Sequence, residues 1–398
     1  MKRSRKRLEA MLGRPVAPLL STVALGAVAL VGGAAVEVGW PTAFGEPAAD
    51  PGGSQGKNQA PPNGAMSVKL TGPPVVVSEG TGTLHLTTSA PPRATNTGGE
   101  VEWQSRAAGT SVWRTFETLE LDREGRASVQ VSPWKATEYR AVVRGRHAAT
   151  GISTPFRVST RPAAEPVVVP KRAAEPRFSS STDPARRPRA VGAGAHASVS
   201  RIPGPVWERM TGVSYTEGCP VGRDDLRYVQ VNHWGFDGYR YRGEIIVHAS
   251  VAQQTAAVFT DLYRLKYPIR QMRLVDDFGN GSVRGANDYS SMSADNTSAF
   301  NCRFVDGWES RRVLSPHAWG LAIDINTWEN PFQARTGVFP NRAYLDRRLP
   351  HEAVLGSLKS PVVRAFESRG LRWGGRWAAR DYHHFEAPRI KRKQRQGR

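Results

Sequence analysis

Two histidines and two carboxylates in two short motifs hold the chemistry this chain can be expected to perform. The first motif is Ser315-Pro316-His317-Ala318-Trp319-Gly320-Leu321-Ala322-Ile323-Asp324-Ile325-Asn326, and the second is Asp381-Tyr382-His383-His384-Phe385-Glu386. A catalytic zinc ion typically takes three protein ligands from His, Asp, Glu or Cys and leaves a fourth position for water or substrate. His317, Asp324 and His384 suit that role. Zinc lowers the pKa of its water, yet the water still needs a group to accept its proton as it attacks a carbonyl. Asp381, three residues before His384, is the natural candidate.

The elements that must position these groups can be read from the alternation around them. From Leu321 to Asn326 apolar and polar residues alternate, which predicts a strand with Leu321, Ile323 and Ile325 in a core and Ala322, Asp324 and Asn326 on the other face. His317 lies seven positions before Asp324, an odd spacing that places it on the wrong face of an unbroken strand. The chain must therefore bend between them, and Gly320 is the residue that permits a bend. In the second motif Tyr382, His384 and Glu386 share one face while His383 and Phe385 share the other. Only one of the adjacent histidines can then easily face a metal, and His383 reads as a packed neighbour. His85, His147, His196, His233, His248 and His351 show no metal spacing.

These motifs resemble the zinc D-alanyl-D-alanine carboxypeptidases and L-alanyl-D-glutamate endopeptidases of bacterial walls, relatives of lysostaphin and sonic hedgehog. The resemblance spans most of Gly218 to Pro388. It includes Gly218-Cys219-Pro220-Val221-Gly222, Tyr267-Pro268-Ile269-Arg270, the stretch from Asp295 to Arg303, and Trp373-Gly374-Gly375. It implies one zinc ion per catalytic domain on His317, Asp324 and His384, with Asp381 as general base. It also implies an arginine that holds the substrate carbonyl or the developing oxyanion. Arg303 matches that position best, ahead of Arg270 and Arg273. Asp381 stands where many relatives carry Glu, which shortens the reach by one methylene. The implied function is an exported zinc metallopeptidase acting on peptidoglycan stem peptides, with a D-alanyl-D-alanine carboxypeptidase as the first expectation. An endopeptidase cutting L-alanyl-D-glutamate or a cross-link keeps every residue role and changes only the pocket, which loops such as Phe278 to Ser291 and Trp328 to Leu349 would form. A non-catalytic, zinc-containing wall-binding protein is the rival, and Asp381 argues against it because a structural site needs no base.

The remainder of the 398 residues reads as delivery and spacing. Lys2, Arg3, Arg5, Lys6, Arg7 and Arg14 precede an uncharged run from Pro15 to Val36, so residues 1–40 are expected to be a signal peptide or membrane anchor. Either one places the rest of the chain outside the membrane. Residues 41–64 read as a flexible spacer. Within 65–160, alternating runs at Val68 to Leu70, Thr83 to Thr87, Val101 to Ser105, Val112 to Phe116, Ala127 to Val131, Tyr139 to Val143 and Phe156 to Val158 predict an all-β immunoglobulin-like sandwich with Trp103 in its core. Residues 161–200, centred on Arg186-Arg187-Pro188-Arg189, read as a disordered basic linker.

The catalytic domain, 201–388, is expected to be α+β with the site on an antiparallel sheet flanked by helices. Strands are predicted at Tyr228 to Asn232 and Gly243 to His248. One helix is predicted from a Ser250 cap to Tyr267, packing Val251, Val258, Phe259, Leu262 and Leu265, and a second from Ser360 to just before Gly370. Cys219 and Cys302 are the only cysteines, and an oxidising exterior favours a disulfide over two thiols or metal ligation. Residues 389–398 form a basic tail.

The net charge of +20 suits anionic wall polymers or lipid head groups as well as nucleic acid. With no recognition motif or aromatic stacking platform for nucleic acid, no nucleic-acid partner is expected.

Overall fold

The computed structural model describes residues 66–89, 99–144, 150–171, 173–334, 337–349, 351–356 and 359–388. The expected signal or anchor, the spacer and the basic tail lie outside the described residues. Among those residues no helix is long and apolar enough to cross a membrane.

The first nine strands are β1 (Ser67–Thr71), β2 (Val75–Val77), β3 (Gly82–Ser89), β4 (Glu100–Ala107), β5 (Arg114–Glu120), β6 (Arg126–Val131), β7 (Thr137–Arg144), β8 (Thr150–Ile152) and β9 (Phe156–Arg161). They form two sheets, one ordered β1-β3-β6 and the other β2-β9-β7-β4-β5 with β8 against β7. Both sheets are built by period-2 alternation, so Leu84, Leu86, Val101, Trp103, Ala141, Val143 and Val158 meet in one buried core between them. All seven predicted strands are present, although Val112 to Phe116 is displaced toward Arg114–Glu120. Pairing adds β2 and β8, which are too short to show alternation.

Residues 161–200 are not the disordered linker that their composition suggests. Val167 N–H donates to the Phe236 carbonyl (2.7 Å), and the Asn232 amide bonds both the N–H and the carbonyl of Val191 (3.0 and 2.8 Å). The Arg187 guanidinium lies 3.5 Å from the centre of the Tyr241 ring, and β10 (Ser198–Ser200) pairs with the next long strand. Partners distant in sequence add their hydrogen bonds to the local turns that this Pro-, Ala- and Arg-rich segment makes with itself.

The second core is organised by the long antiparallel pair β11 (Leu226–Trp234) and β12 (Arg240–His248). After α1 (Gly204–Met210), helix α2 (Ala252–Arg264) buries Val258, Phe259 and Leu262 against β11. Two details differ from expectation. The capping side chain is His248, which accepts from Ser250 N–H at the start of a 3₁₀ turn, and Leu265 lies beyond the helix end, 47% exposed. The short parallel pair β13 (Gln271–Met272) and β14 (Asn296–Thr297) flanks α3 (Asp288–Ser293). The site itself rests on β15 (Ala322–Asp324), the hairpin β16 (Phe332–Ala334) and β17 (Gly337–Phe339), α4 (Pro361–Glu367), β18 (Arg372–Trp373) and β19 (His384–Glu386). Antiparallel order β15-β19-β18 sets Ile323 beside Phe385, and Phe385 stacks on Phe366 of α4 at 3.8 Å. This mixed, sheet-rich arrangement is compatible with the expected α+β domain.

Candidate active site

The three expected ligand residues converge because the strand register allows little else. Asp324 and His384 face each other across the β15–β19 pair, with His384 Nδ1 2.9 Å from Asp324 Oδ1. His317 reaches them from a 3₁₀ turn, Pro316–Trp319, capped by the Ser315 hydroxyl, which accepts from the His317 N–H. That turn ends at Gly320 with φ +65°, the bend required by the odd spacing. His317 Nε2 lies 3.2 Å from Asp324 Oδ2 and 3.3 Å from His384 Nδ1. One ligand atom from each of the three residues lies within 4.8 Å of the others, so together they could hold a metal ion.

Partners outside the triad orient these rings. His317 Nδ1–H donates to the Ala299 carbonyl (2.6 Å), which leaves Nε2 unprotonated and aimed at the cluster in the neutral ring. His384 Nε2–H points to Glu386 Oε2 (3.5 Å), leaving Nδ1 for the cluster. Burial alone would push the Asp324 carboxyl up, but the fields of His317 and His383 and hydrogen bonds from His317 and His384 hold it well below the usual carboxylate range. Burial disfavours a charged His384 ring, yet hydrogen bonds to Asp324 and Glu386 outweigh it and push its pKa up to about 10. Without a metal His384 Nδ1 thus carries a proton beside an ionised carboxylate, and an ion bound by Asp324 and His384 would take that proton's place.

Asp381 sits against this cluster, held by a bond from its own N–H to the Gly374 carbonyl (3.1 Å). A Cβ on Gly374 would come within 2.7 Å of the Asp381 carbonyl oxygen and 3.3 Å of the His384 Cβ. The first glycine of Trp373-Gly374-Gly375 therefore serves the close approach of its backbone to the Asp381–His384 segment. Burial raises the Asp381 carboxyl above its ordinary pKa against the opposing fields of His383 and His384. Its Oδ1 is buried without a hydrogen-bond partner, and His383 Nε2 stands 3.1 Å away, outside hydrogen-bond geometry. His383 is consequently part of the site's wall; its Nδ1–H donates to the Asn330 carbonyl (2.7 Å).

The cluster opens into a cleft of about 390 Å³. Arg303 lines it, with its guanidinium 2.7 Å from Asp288 Oδ2 and 3.8 Å from Asp306 Oδ1. Arg270 is buried elsewhere between Asp295 (2.8 Å) and Glu329 (3.1 Å), and Arg273 serves Gln271 and Asp277. The disulfide Cys219–Cys302 is present and fixes the residue before Arg303 to the 218–222 loop. Both expected pocket loops contribute, through Asp288 and Tyr289 on one side and Phe332 and Phe339 on the other. Trp377, whose ring stands 5.2 Å from that of His384, and Trp308 complete the walls. Sequence reading missed Asp288 and Asp306, for which no local pattern exists. It also passed over Glu386, although that residue shares the face of His384 in the alternation.

A buried His-Asp-His cluster with an adjacent carboxylate, at the floor of an aromatic-walled cleft, has the make-up of a metallopeptidase site. Residues 308–387 match the family described as D-alanyl-D-alanine carboxypeptidase. That segment contains His317, Asp324, Asp381 and His384. No curated protein matches the chain.

Proposed function

We propose that this chain is an exported zinc peptidase that hydrolyses an amide bond in bacterial peptidoglycan stem peptides, with the terminal D-alanyl-D-alanine bond as first substrate. The observation that carries the reading is the convergence of His317 Nε2, Asp324 and His384 Nδ1 beside Asp381 in one cleft. The donors fit zinc: two imidazole nitrogens, which bind a metal in their unprotonated form, and one carboxylate, each ring tied by its far nitrogen. When bound there, zinc would supply Lewis-acid polarisation of a carbonyl and acidify a water.

The protein's own groups account for the proton and the charge. Asp381, close to His384, accepts the proton of the attacking water in its carboxylate form and returns it to the leaving amine. Arg303 donates to the oxygen that becomes negative as the carbonyl turns tetrahedral, while Asp288 and Asp306 hold its guanidinium in the cleft wall. Trp308, Trp377, Phe332 and Phe339 screen water from the site and leave room for an extended peptide.

The endopeptidase reading keeps its place for a specific reason. Arg303 is the sole Lys or Arg among the described residues that line the cleft, and two carboxylates already engage it, so the cleft offers no uncommitted cation to a terminal carboxylate. Upstream, we read the two-sheet unit as an immunoglobulin-like spacer that carries the enzyme away from the membrane, with basic segments attracted to anionic wall polymers or lipid head groups. Mass spectrometry of peptidoglycan fragments after incubation with the zinc-loaded chain tests the reading. Metal-dependent loss of one terminal alanine supports the carboxypeptidase, internal cleavage moves the assignment to endopeptidase, and intact fragments overturn the peptidase reading for these substrates.

A further inference from the structure

Beside the metal cleft lies a second groove of about 780 Å³, and Trp377 forms a wall of both. The two differ in charge. Among the described residues, the metal cleft is lined by Asp288, Asp306, Asp324 and Asp381 with Arg303 as its one arginine, whereas Arg347, Arg376 and Arg380 line the second groove with no carboxylate among its walls.

The three arginines are not equivalent. Arg376 is spent on a two-point pair with Glu367 (2.6 and 2.7 Å). Arg347 stacks on the Tyr382 ring at 4.3 Å and donates to the carbonyls of Glu329, Tyr344 and Leu355 and to Asn330 Oδ1. Its Nε is buried with no partner. Arg380 is exposed, and its guanidinium donates only to the Tyr382 hydroxyl at 3.3 Å; among the described residues no carboxylate pairs with it. Its backbone is nevertheless fixed, because Gln333 N–H donates to its carbonyl (2.7 Å) and Asp381 follows directly. Adjacent α-carbons are about 3.8 Å apart and an extended peptide advances roughly 3.3 Å per residue. Arg380 directly precedes Asp381, and the grooves that the two residues line share the Trp377 wall, so a peptide with its scissile amide beside Asp381 can run over Trp377 toward Arg380.

We propose that the Arg380 groove is a carboxylate subsite, so that the substrate is an acidic peptide whose free carboxylate lies one or two residues from the cleaved bond and passes over Trp377 to reach it. The proposal rests on the peptidase reading above and deepens it. A guanidinium with open donors on a fixed backbone suits two-point capture of a carboxylate. It also supplies a guanidinium free of carboxylate partners among the described residues, which Arg303 in the metal cleft is not. That carboxylate is either the peptide's own terminus or an internal acidic residue, and the two sources correspond to carboxypeptidase and endopeptidase.

The test uses the zinc-loaded full chain and two pairs of synthetic stem peptides. One pair differs only in a free or amidated C-terminus, the other only in a free or amidated internal carboxyl. We expect the wild type to favour the free acid in one pair by about 10-fold or more in kcat/KM, chiefly through KM. Arg380→Gln brings that ratio close to one, and Arg380→Lys leaves it intermediate. Preference in the terminal pair identifies the terminal carboxylate as the ligand, and preference in the internal pair identifies the side-chain source. Equal kcat/KM within both pairs for the wild type, or a preference that survives Arg380→Gln, overturns the subsite while leaving the peptidase reading intact. A variant that loses activity only on intact wall, with peptide preference unchanged, also overturns it and marks Arg380 as a wall-polymer contact. Calorimetric binding of the same peptides covers the case in which none is cut. An acid preference abolished by Arg380→Gln then sustains the groove although the reaction assignment has failed, and no preference overturns it.

Discussion

Gly320→Ala tests how the backbone turn builds the metal site. Gly320 has φ +65°, and a Cβ there would lie 2.6 Å from the backbone nitrogen of His248, with Leu226 Cδ2 and the Val247 carbonyl carbon both at 3.1 Å. The first cost is conformational, about 1–2 kcal/mol for an L-residue in the left-handed region. The second is steric. The obstructing atom is backbone in β12, which donates to the Gly320 carbonyl at 2.8 Å and pairs along its length with β11, so it cannot swing aside as a side chain would. Overpacking of this kind costs about 1–3 kcal/mol, for a total of about 2–5 kcal/mol. At roughly 2–4 °C per kcal/mol for a domain of this size, the midpoint should fall by about 4–20 °C. Because the turn joins His317 to Asp324, zinc affinity should also fall by about 10–100-fold, as it does when a group that orients a ligand is removed. Thermal unfolding of the metal-free full chain and a competitive zinc titration measure the two effects. Gly212→Ala is the control, since its φ of +83° carries the conformational cost with nothing within 4 Å of the added methyl. If Gly320→Ala unfolds no earlier than Gly212→Ala and binds zinc as the wild type does, the account of the turn is wrong.

Arg270→Met should destabilise the fold by about 3–5 kcal/mol, because it strands the fully buried carboxyls of Asp295 and Glu329. Burial and the neighbouring Asp295 already hold the Glu329 carboxyl well above its ordinary range. A carboxyl raised in the folded state favours folding at low pH and loses that contribution as pH rises, so the defect measured by denaturant unfolding should shrink on acidification; a defect independent of pH would contradict this. Removing the disulfide with the Cys219→Ala, Cys302→Ala double substitution frees a loop of 83 residues, which the chain-entropy model values at about 4 kcal/mol. The thermal midpoint of the oxidised wild type should fall to that of the double variant when reductant is added, and an unchanged midpoint would contradict a stabilising role. Burial raises the Asp381 carboxyl above 3.8, and only its ionised form can accept a proton. With zinc held saturating, kcat/KM should fall on the acid side as this carboxyl takes up a proton, and an acidic limb that persists unchanged in Asp381→Asn would exclude Asp381 as the base.

Local pattern makes much of the site legible in the sequence. Alternation from Leu321 to Asn326 and from Tyr382 to Glu386 marks the two site strands, and the odd spacing of His317 and Asp324 demands the bend found at Gly320. The seven longer strands of the first unit and the burial of Trp103 come from the same period-2 reading. What escapes is set by contacts between distant segments. Arg187 owes its order to Tyr241 and Asp237, and Arg303 its position to Asp288 and Asp306, pairings that no window of local sequence contains. Leu265 obeys the helical periodicity but lies past the last helical turn, where Lys266 takes φ +52° and the chain leaves the core.

The central claim is that His317, Asp324 and His384 bind the metal while Asp381, which binds none, moves the proton. The most direct test loads the full chain and its Asp381→Asn variant with zinc, measures metal content by elemental mass spectrometry, and follows amide cleavage of peptidoglycan fragments in the same samples. The account predicts one zinc per chain in both proteins, with cleavage slowed by about 10²–10⁴-fold in Asp381→Asn. An Asp381→Asn enzyme that cleaves at the wild-type rate with zinc bound, or one that no longer binds zinc at all, would contradict it.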